Sequence, residues 1–300
     1  MNEISIPGFT FINMEPITKG WSEDQKFCVT VAGATKYLLR ISPKARYKTR
    51  KLLFAMLGQV AALGIPMCEP VAFGKCENGV YSLQSWINGE DLEAVLPSLP
   101  KAGQYALGYQ SGEILKQMHS IPAPKQQEPW EPRFNRKTDT KIQKYRECGL
   151  RFEGDVHILE YIEQNRHLLR SRPQCFQHGD YHAGNMMLEQ GQLKIIDFDR
   201  YDFGDPWEEF NRIVFSAAAS PVFAAGQLRG YFCGEPPLEF FRLLAFYIAS
   251  NTLSAIYWAI PFGEREINTM LEQSQAVLAW YGNMQNPVPS WYQSIDSWPQ

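Results

Sequence analysis

The chain has 300 residues, 45% hydrophobic and 20% charged, enough apolar material to bury a sizeable core in two domains or one large one. Lys+Arg 29 against Asp+Glu 32 give a formal net charge of -3. That excludes the strongly positive field that holds a polyphosphate backbone, so nucleic acid is not expected as a partner. The six cysteines include no C-x-x-C pair, which excludes the common zinc-ligand and redox spacings and reads as free thiols of a reducing cytoplasm.

The N-terminus, MNEISIPGFTFINME, has an early acid and no basic segment before an apolar run, so no signal peptide is expected. From Phe9 to about Gly89 the pattern predicts strands around one helix. FCVTV, AGAT and KYLLRI form a hairpin. ARYKTRKLLFAMLGQVAALG has helical spacing and ends at Gly64 before Pro66. MCEPVAFG and GVYSLQSWI are extended, and Asn88-Gly89-Glu90 marks a boundary, giving lobes 1–87 and 88–300.

Helices are expected over Gly103–Ser120, Lys137–Cys148, Asp155–Arg170, Trp207–Ala218, Leu238–Ile260 and Glu264–Asn283. The Pro-rich segment 121–134 reads as a surface loop. Residues 238–260 are long enough to cross a bilayer, but Glu239, Arg242 and Asn251 interrupt them, which predicts a buried core helix and no membrane association. Segregated strands and helices give an α+β fold.

Residues 175–210 carry the chemistry. His178-Gly179-Asp180 is followed by Asn185 and, after the apolar run LKII, by Asp197-Phe198-Asp199. Phosphoryl transfer needs an aligned acceptor hydroxyl and cations on the phosphate oxygens, which three oxygen-bearing side chains can supply. Asp180 would take the hydroxyl proton, and Asn185 and Asp197 are hard donors suited to Mg²⁺.

The spacing matches the kinase pattern H-x-D-x-x-x-x-N followed by D-F-G. HGDYHAGN, DFD and the later Gly204-Asp205-Pro206 resemble the aminoglycoside phosphotransferase and choline kinase-like superfamily. The resemblance implies a bilobal protein-kinase-like fold, with ATP or GTP and Mg²⁺ in the cleft and a small-molecule hydroxyl as acceptor. It makes Asp180 the catalytic aspartate, Asn185 and Asp197 the metal ligands, and Asp205 a brace for the catalytic loop. It also implies antibiotic resistance as a role, with choline, homoserine or sugar kinases as alternatives; a third reading, a catalytically weak nucleotide-binding protein, rests on the lack of any acid between Asp24 and Glu69.

On the nucleotide side Arg40 stands where V-A-I-K places its lysine, with Lys36 on the same strand face as a rival. Gly20 and Ser22 form either the expected phosphate loop or an ordinary hairpin turn, and the backbone near Gln84 to Trp86 would meet the base. No acid occurs between Asp24 and Glu69, so the helix offers no carboxylate for Arg40, and an apolar residue around Ala55 takes the expected place. Asp197 is one alternative partner. His178 is read as an orienting hydrogen-bond partner. Arg200 either contacts a phosphate or the acceptor or pairs with Asp202 or Glu208. Among the acids Glu153, Asp155, Asp202, Glu208, Glu209, Glu264, Glu266 and Glu272, each reads singly as a solvated charge, with Glu264 and Glu266 favoured for a cationic acceptor.

Overall fold

The computed structural model describes residues 4–18 and 23–293, so Gly20 and Ser22 lie outside the described residues. The chain divides into two compact units, Met1–Leu92 with Asn185–Asp199, and Glu93–Gly184 with Arg200–Gln300.

The first unit is built on a five-stranded antiparallel sheet. Its strands are β1 (Phe11–Pro16), β2 (Gln25–Val31), β3 (Lys36–Ser42), β4 (Pro70–Cys76) and β5 (Gly79–Ser85), in the order β1-β2-β3-β5-β4. Helix α1 (Tyr47–Ala62) lies between β3 and β4 in the chain. Period-two alternation sends Leu39 and Ile41 of β3 into a core with Ile6, Val29, Tyr81 and Leu83. Each such side chain contributes roughly 1.5–3 kcal/mol by leaving water. Arg40 therefore points the other way, where it lines a cavity with Ser82, Gln84 and the α1 residues Arg50, Leu53, Phe54 and Leu57. The short strand β6 (Glu90–Asp91) pairs with β8 (Met186–Glu189), which pairs with β9 (Gln192–Ile195), so the hairpin belongs to this unit although it follows the His178–Asp180 motif in sequence.

The second unit is helical. It holds α3 (Lys101–Met118), α4 (Trp130–Glu147), α5 (Asp155–Asn165), α6 (Ile213–Ala219), α7 (Pro221–Phe232), α8 (Leu238–Ala259) and α9 (Glu264–Trp280), after the single turn α2 (Leu92–Val95). A two-stranded ladder pairs β7 (Cys175–Gln177) with β10 (Asp202–Gly204). Fourteen residues of α8 are buried, so this apolar helix is core, as its interrupting charges predicted. All six cysteines are free.

Two elements differ from expectation. Helix α4 begins inside the stretch read as a loop, because Pro132 occupies its first turn, where backbone N–H groups lack an intrahelical acceptor and proline removes nothing. Helix α7 carried no periodic signal because ten of its twelve residues are buried, so no polar face exists to reveal a period. Its start was nonetheless written locally: Ser220 accepts from the Phe223 N–H at 3.0 Å and Pro221 follows at the first helical position. Glycine permits its closeness to α3, since a Cβ on Gly112 or Gly230 would overlap the backbone of Gln227 or Tyr109.

Candidate active site

The catalytic-loop motif leaves β7 into a turn in the helical unit. Gly179 has φ +84°, and a Cβ there would overlap the Arg200 carbonyl oxygen, so the turn requires glycine. Its N–H donates to Glu209 at 3.0 Å. The Asp180 N–H donates to His178 Nδ1 at 3.3 Å, and His178 is fully buried, as fits an orienting histidine.

Around the Asp180 carboxylate stand Arg212 Nε at 3.3 Å, Arg200 Nη1 at 3.8 Å and His182 Nε2 at 3.9 Å. Burial alone would raise the Asp180 pKa, but Arg212, with smaller effects of His182, Arg200 and His178, brings it below the ordinary carboxylate value. Asp180 is thus an ionised, partly buried carboxylate able to accept a proton. His182 is the opposite case: burial lowers its pKa to about 4, so it is neutral at pH 7. Arg200 pairs with Asp180 and with neither of the acids proposed for it, since Arg133 takes Asp202 and Lys137 with Gln177 takes Glu208.

Asp205 is completely buried and fully engaged. Arg172 donates to both its oxygens at 2.7 and 3.0 Å, Tyr247 Oη donates at 2.6 Å, and the Trp207 N–H at 3.0 Å. Since β10 beside it pairs with β7, this network fixes the strand that delivers the His178–Asp180 turn. Glu208 and Glu209, read as solvated charges, are buried at 8% and 1% exposure. Glu209 braces the His178–Asp180 turn through Gly179, a contact that a pair of adjacent glutamates in sequence does not announce. Arg212 was also missed, as a single arginine at a helix start has no local signature.

In the first unit the β8–β9 hairpin carries Asn185 and Asp197 at its two open ends. The Ile196 N–H donates to the Asn185 carbonyl at 3.1 Å, holding the chains together next to Asp197. Asp197 has φ +64°, a left-handed conformation for a non-glycine residue and the kind of local strain found where a side chain must be aimed. An amide oxygen and a carboxylate form a hard-oxygen set that fits a divalent ion whose other ligands are phosphate and water. Among the described residues no cluster of three His, Cys, Asp or Glu holds a metal by itself.

Arg40 donates from Nη1 to Asp199 Oδ1 at 2.5 Å and its Nε lies 3.5 Å from Asp24, so its carboxylate partners are the last residue of the D-F-D triplet and Asp24, and not Asp197. Arg50 of α1 reaches the same Asp199 oxygen at 2.8 Å, donates from Nε to Ser42 Oγ at 2.9 Å, and pairs with the buried Asp24. The helix therefore brings a second cation where a carboxylate was expected. Ala55 is exposed, and the apolar α1 residues that share the cavity with Arg40 are Leu53, Phe54 and Leu57. Lys36 is exposed at the far end of β3, opposite Thr30. Lys26 faces Arg40 across the ladder, and burial, then the Arg40 charge, lower its pKa. The Gln84 side chain lines the Arg40 cavity while its backbone lies between Leu38 and Pro70 in the sheet; Trp86 follows where the chain leaves β5. Glu264 is exposed and Glu266 half-buried in the first turn of α9, and neither is among the charges that set the Asp180 pKa.

The sequence matches the phosphotransferase enzyme family (APH) over residues 13–243. Among solved structures, a thermostable mutant of aminoglycoside phosphotransferase APH(4)-Ia in its apo form is similar with TM-score 0.65 and 17% identity, over 90% of this chain and 94% of that one. A choline/ethanolamine kinase family protein from Mesorhizobium loti gives TM-score 0.66 and 16% identity over 94% of each chain. A mutant aminoglycoside 2'-phosphotransferase-IIIa in complex with GDP gives TM-score 0.69 and 15% identity, over 94% of this chain and 95% of that one. None of the curated proteins compared matches the sequence. At these identities the structural likeness establishes the fold, a protein-kinase-like α+β architecture.

Proposed function

The chain belongs to the phosphotransferase enzyme family, and from that membership we propose that it moves the γ-phosphate of ATP or GTP to the hydroxyl of a small molecule. The observation that carries the reading is Asp180, a carboxylate held ionised by Arg212 in a turn fixed by Gly179, Glu209 and His178. The acceptor oxygen attacks the γ-phosphorus and a new P–O bond forms. The bond from that phosphorus to the β–γ bridging oxygen breaks, the nucleoside diphosphate leaves with the electron pair, and the hydroxyl proton passes to Asp180. Asn185 and Asp197 are the residues that would hold Mg²⁺, which when bound neutralises charge on the phosphate oxygens.

Arg40, oriented by Asp199, is the cation for the phosphates, and its planar fork suits two oxygens at once. This partner answers the lack of an acid in α1, which had favoured a catalytically weak nucleotide-binding protein. The base is assigned to backbone near Gln84 and Trp86. Solved relatives of this fold in complex with ADP and hygromycin B, and with gentamicin, support a nucleotide donor and a small-molecule acceptor.

The test is nucleotide consumption by purified protein, with and without alcohols. Asp180→Asn should lower turnover at least about 10²-fold with nucleotide Kd unchanged. Asp197→Ala should abolish Mg²⁺-dependent nucleotide binding. Wild-type turnover in the first variant, or unchanged Mg²⁺ dependence in the second, overturns the assignments.

A further inference from the structure

The cations that flank Asp180, and those of α4 beside Glu208, have the wrong sign for a polycationic acceptor. Arg200 and Arg212 flank the carboxylate itself. Lys137 and Lys141, one turn apart on α4, stand over the Phe134 ring at 5.5 and 5.7 Å, and Lys137 Nζ lies 3.7 Å from Glu208. Lys141 and Arg212 are near enough to feel one another's charge.

Half of the carboxylates that would have to receive ammonium groups are already engaged. Asp202 pairs with Arg133, Asp155 accepts from Tyr145 Oη at 2.7 Å, Glu208 is taken by Lys137 and Gln177, and Glu209 by the Gly179 N–H. Lys141, by contrast, is a partly buried ammonium with no carboxylate partner among the described residues. A partly buried cation beside Lys137 and Arg212, whose opposing charge Glu208 is already shared by Lys137 and Gln177, is an arrangement completed by an anion from outside.

Resting on the phosphotransferase reading above, we propose that the acceptor is an alcohol bearing a carboxylate or phosphate, and that Lys141, with Lys137 and Arg200, selects it by that charge. Burial first, then the nearby Lys137, lower the Lys141 pKa to about 7, as a lysine awaiting its counter-ion should show. The transfer step is unchanged: the hydroxyl attacks, and the anionic group only fixes the pose.

The experiment uses two charge-matched acceptor series with the full chain. One is glycerol, glycerate, glycerol 3-phosphate and 3-amino-1,2-propanediol; the other is glucose, glucuronate, glucose 6-phosphate and glucosamine. The expected result is that an anionic member has kcat/KM at least tenfold above its neutral and cationic counterparts. Lys141→Met should raise KM for that member about tenfold and flatten its salt dependence, leaving nucleotide KM unchanged, while Lys141→Arg retains the preference. A preferred neutral or cationic member overturns the proposal, as does nucleotide hydrolysis with no anionic acceptor turned over. A Lys141→Met effect on nucleotide KM alone also overturns it, assigning the lysine to the donor. Failure of the phosphotransferase reading is separately visible as no nucleotide hydrolysis at all, or hydrolysis that Asp180→Asn does not reduce.

Discussion

Arg40 and Asp199 are joined at 2.5 Å within one unit, and the same Asp199 oxygen accepts from Arg50 of α1. A carboxylate from the segment after β9 thereby does for this cation what no residue of α1 can do, and it fixes Arg40 from a segment that follows directly on the proposed metal ligand Asp197. Asp199→Asn should therefore raise nucleotide KM about tenfold, a loss of about 1.4 kcal/mol, through misplacement of Arg40. A KM within twofold of wild type would show that Arg40 needs no such partner.

Arg50 and Asp24 form a buried pair, with side-chain exposures of 9% and 0%. Asp24→Leu alone should cost about 3–5 kcal/mol in urea unfolding, because Arg50 and Arg40 would then share only Asp199. Adding Arg50→Met should return much of it, as apolar replacement of a whole buried pair is close to neutral. Additive losses in the double variant would show that the two residues act independently.

The α1 register makes a negative prediction. Ala55→Glu places its carboxylate in solvent, so stability should stay within about 0.5 kcal/mol and nucleotide Kd within twofold. Tighter nucleotide binding would mean that this face of α1 turns toward the phosphates.

Gly179 sits where a side chain would strike the Arg200 carbonyl oxygen. Gly179→Ala should cost at least about 2 kcal/mol, from left-handed strain plus displacement of Arg200, with kcat falling further than stability because Asp180 moves with the turn. Thermal unfolding and steady-state kinetics on one preparation separate the two effects.

His182 has a folded-state pKa of about 4, below the unfolded value near 6.5. The unfolded chain binds its proton first, so the stabilising effect is complete above pH 6.5 and is lost as pH falls from there toward 4. The slope is at most about 1.4 kcal/mol per pH unit. Chemical unfolding at stepped pH should show His182→Gln losing one proton of this dependence, and parallel curves for the two proteins would contradict it.

Local chemistry wrote much of this protein in its sequence. The strand hairpin, the Gly64 stop of α1, the HGD and DFD triplets and the buried character of α8 depend on periodicity, turn residues and spacing, which act over a few neighbours. Ser220-Pro221 was equally local, a cap without a visible period behind it. What tertiary structure decided are the partners: that Asp199 and not Asp197 meets Arg40, that Arg50 turns inward where Ala55 stays exposed, that Arg212 reaches Asp180, and that Glu209 holds Gly179. These pairings join residues 26, 30, 32, 149 and 159 positions apart, which sequence spacing cannot match. A charged side chain shows its composition locally, but its partner is chosen by which strand face or helix turn the fold buries, where an unpaired charge costs too much to leave.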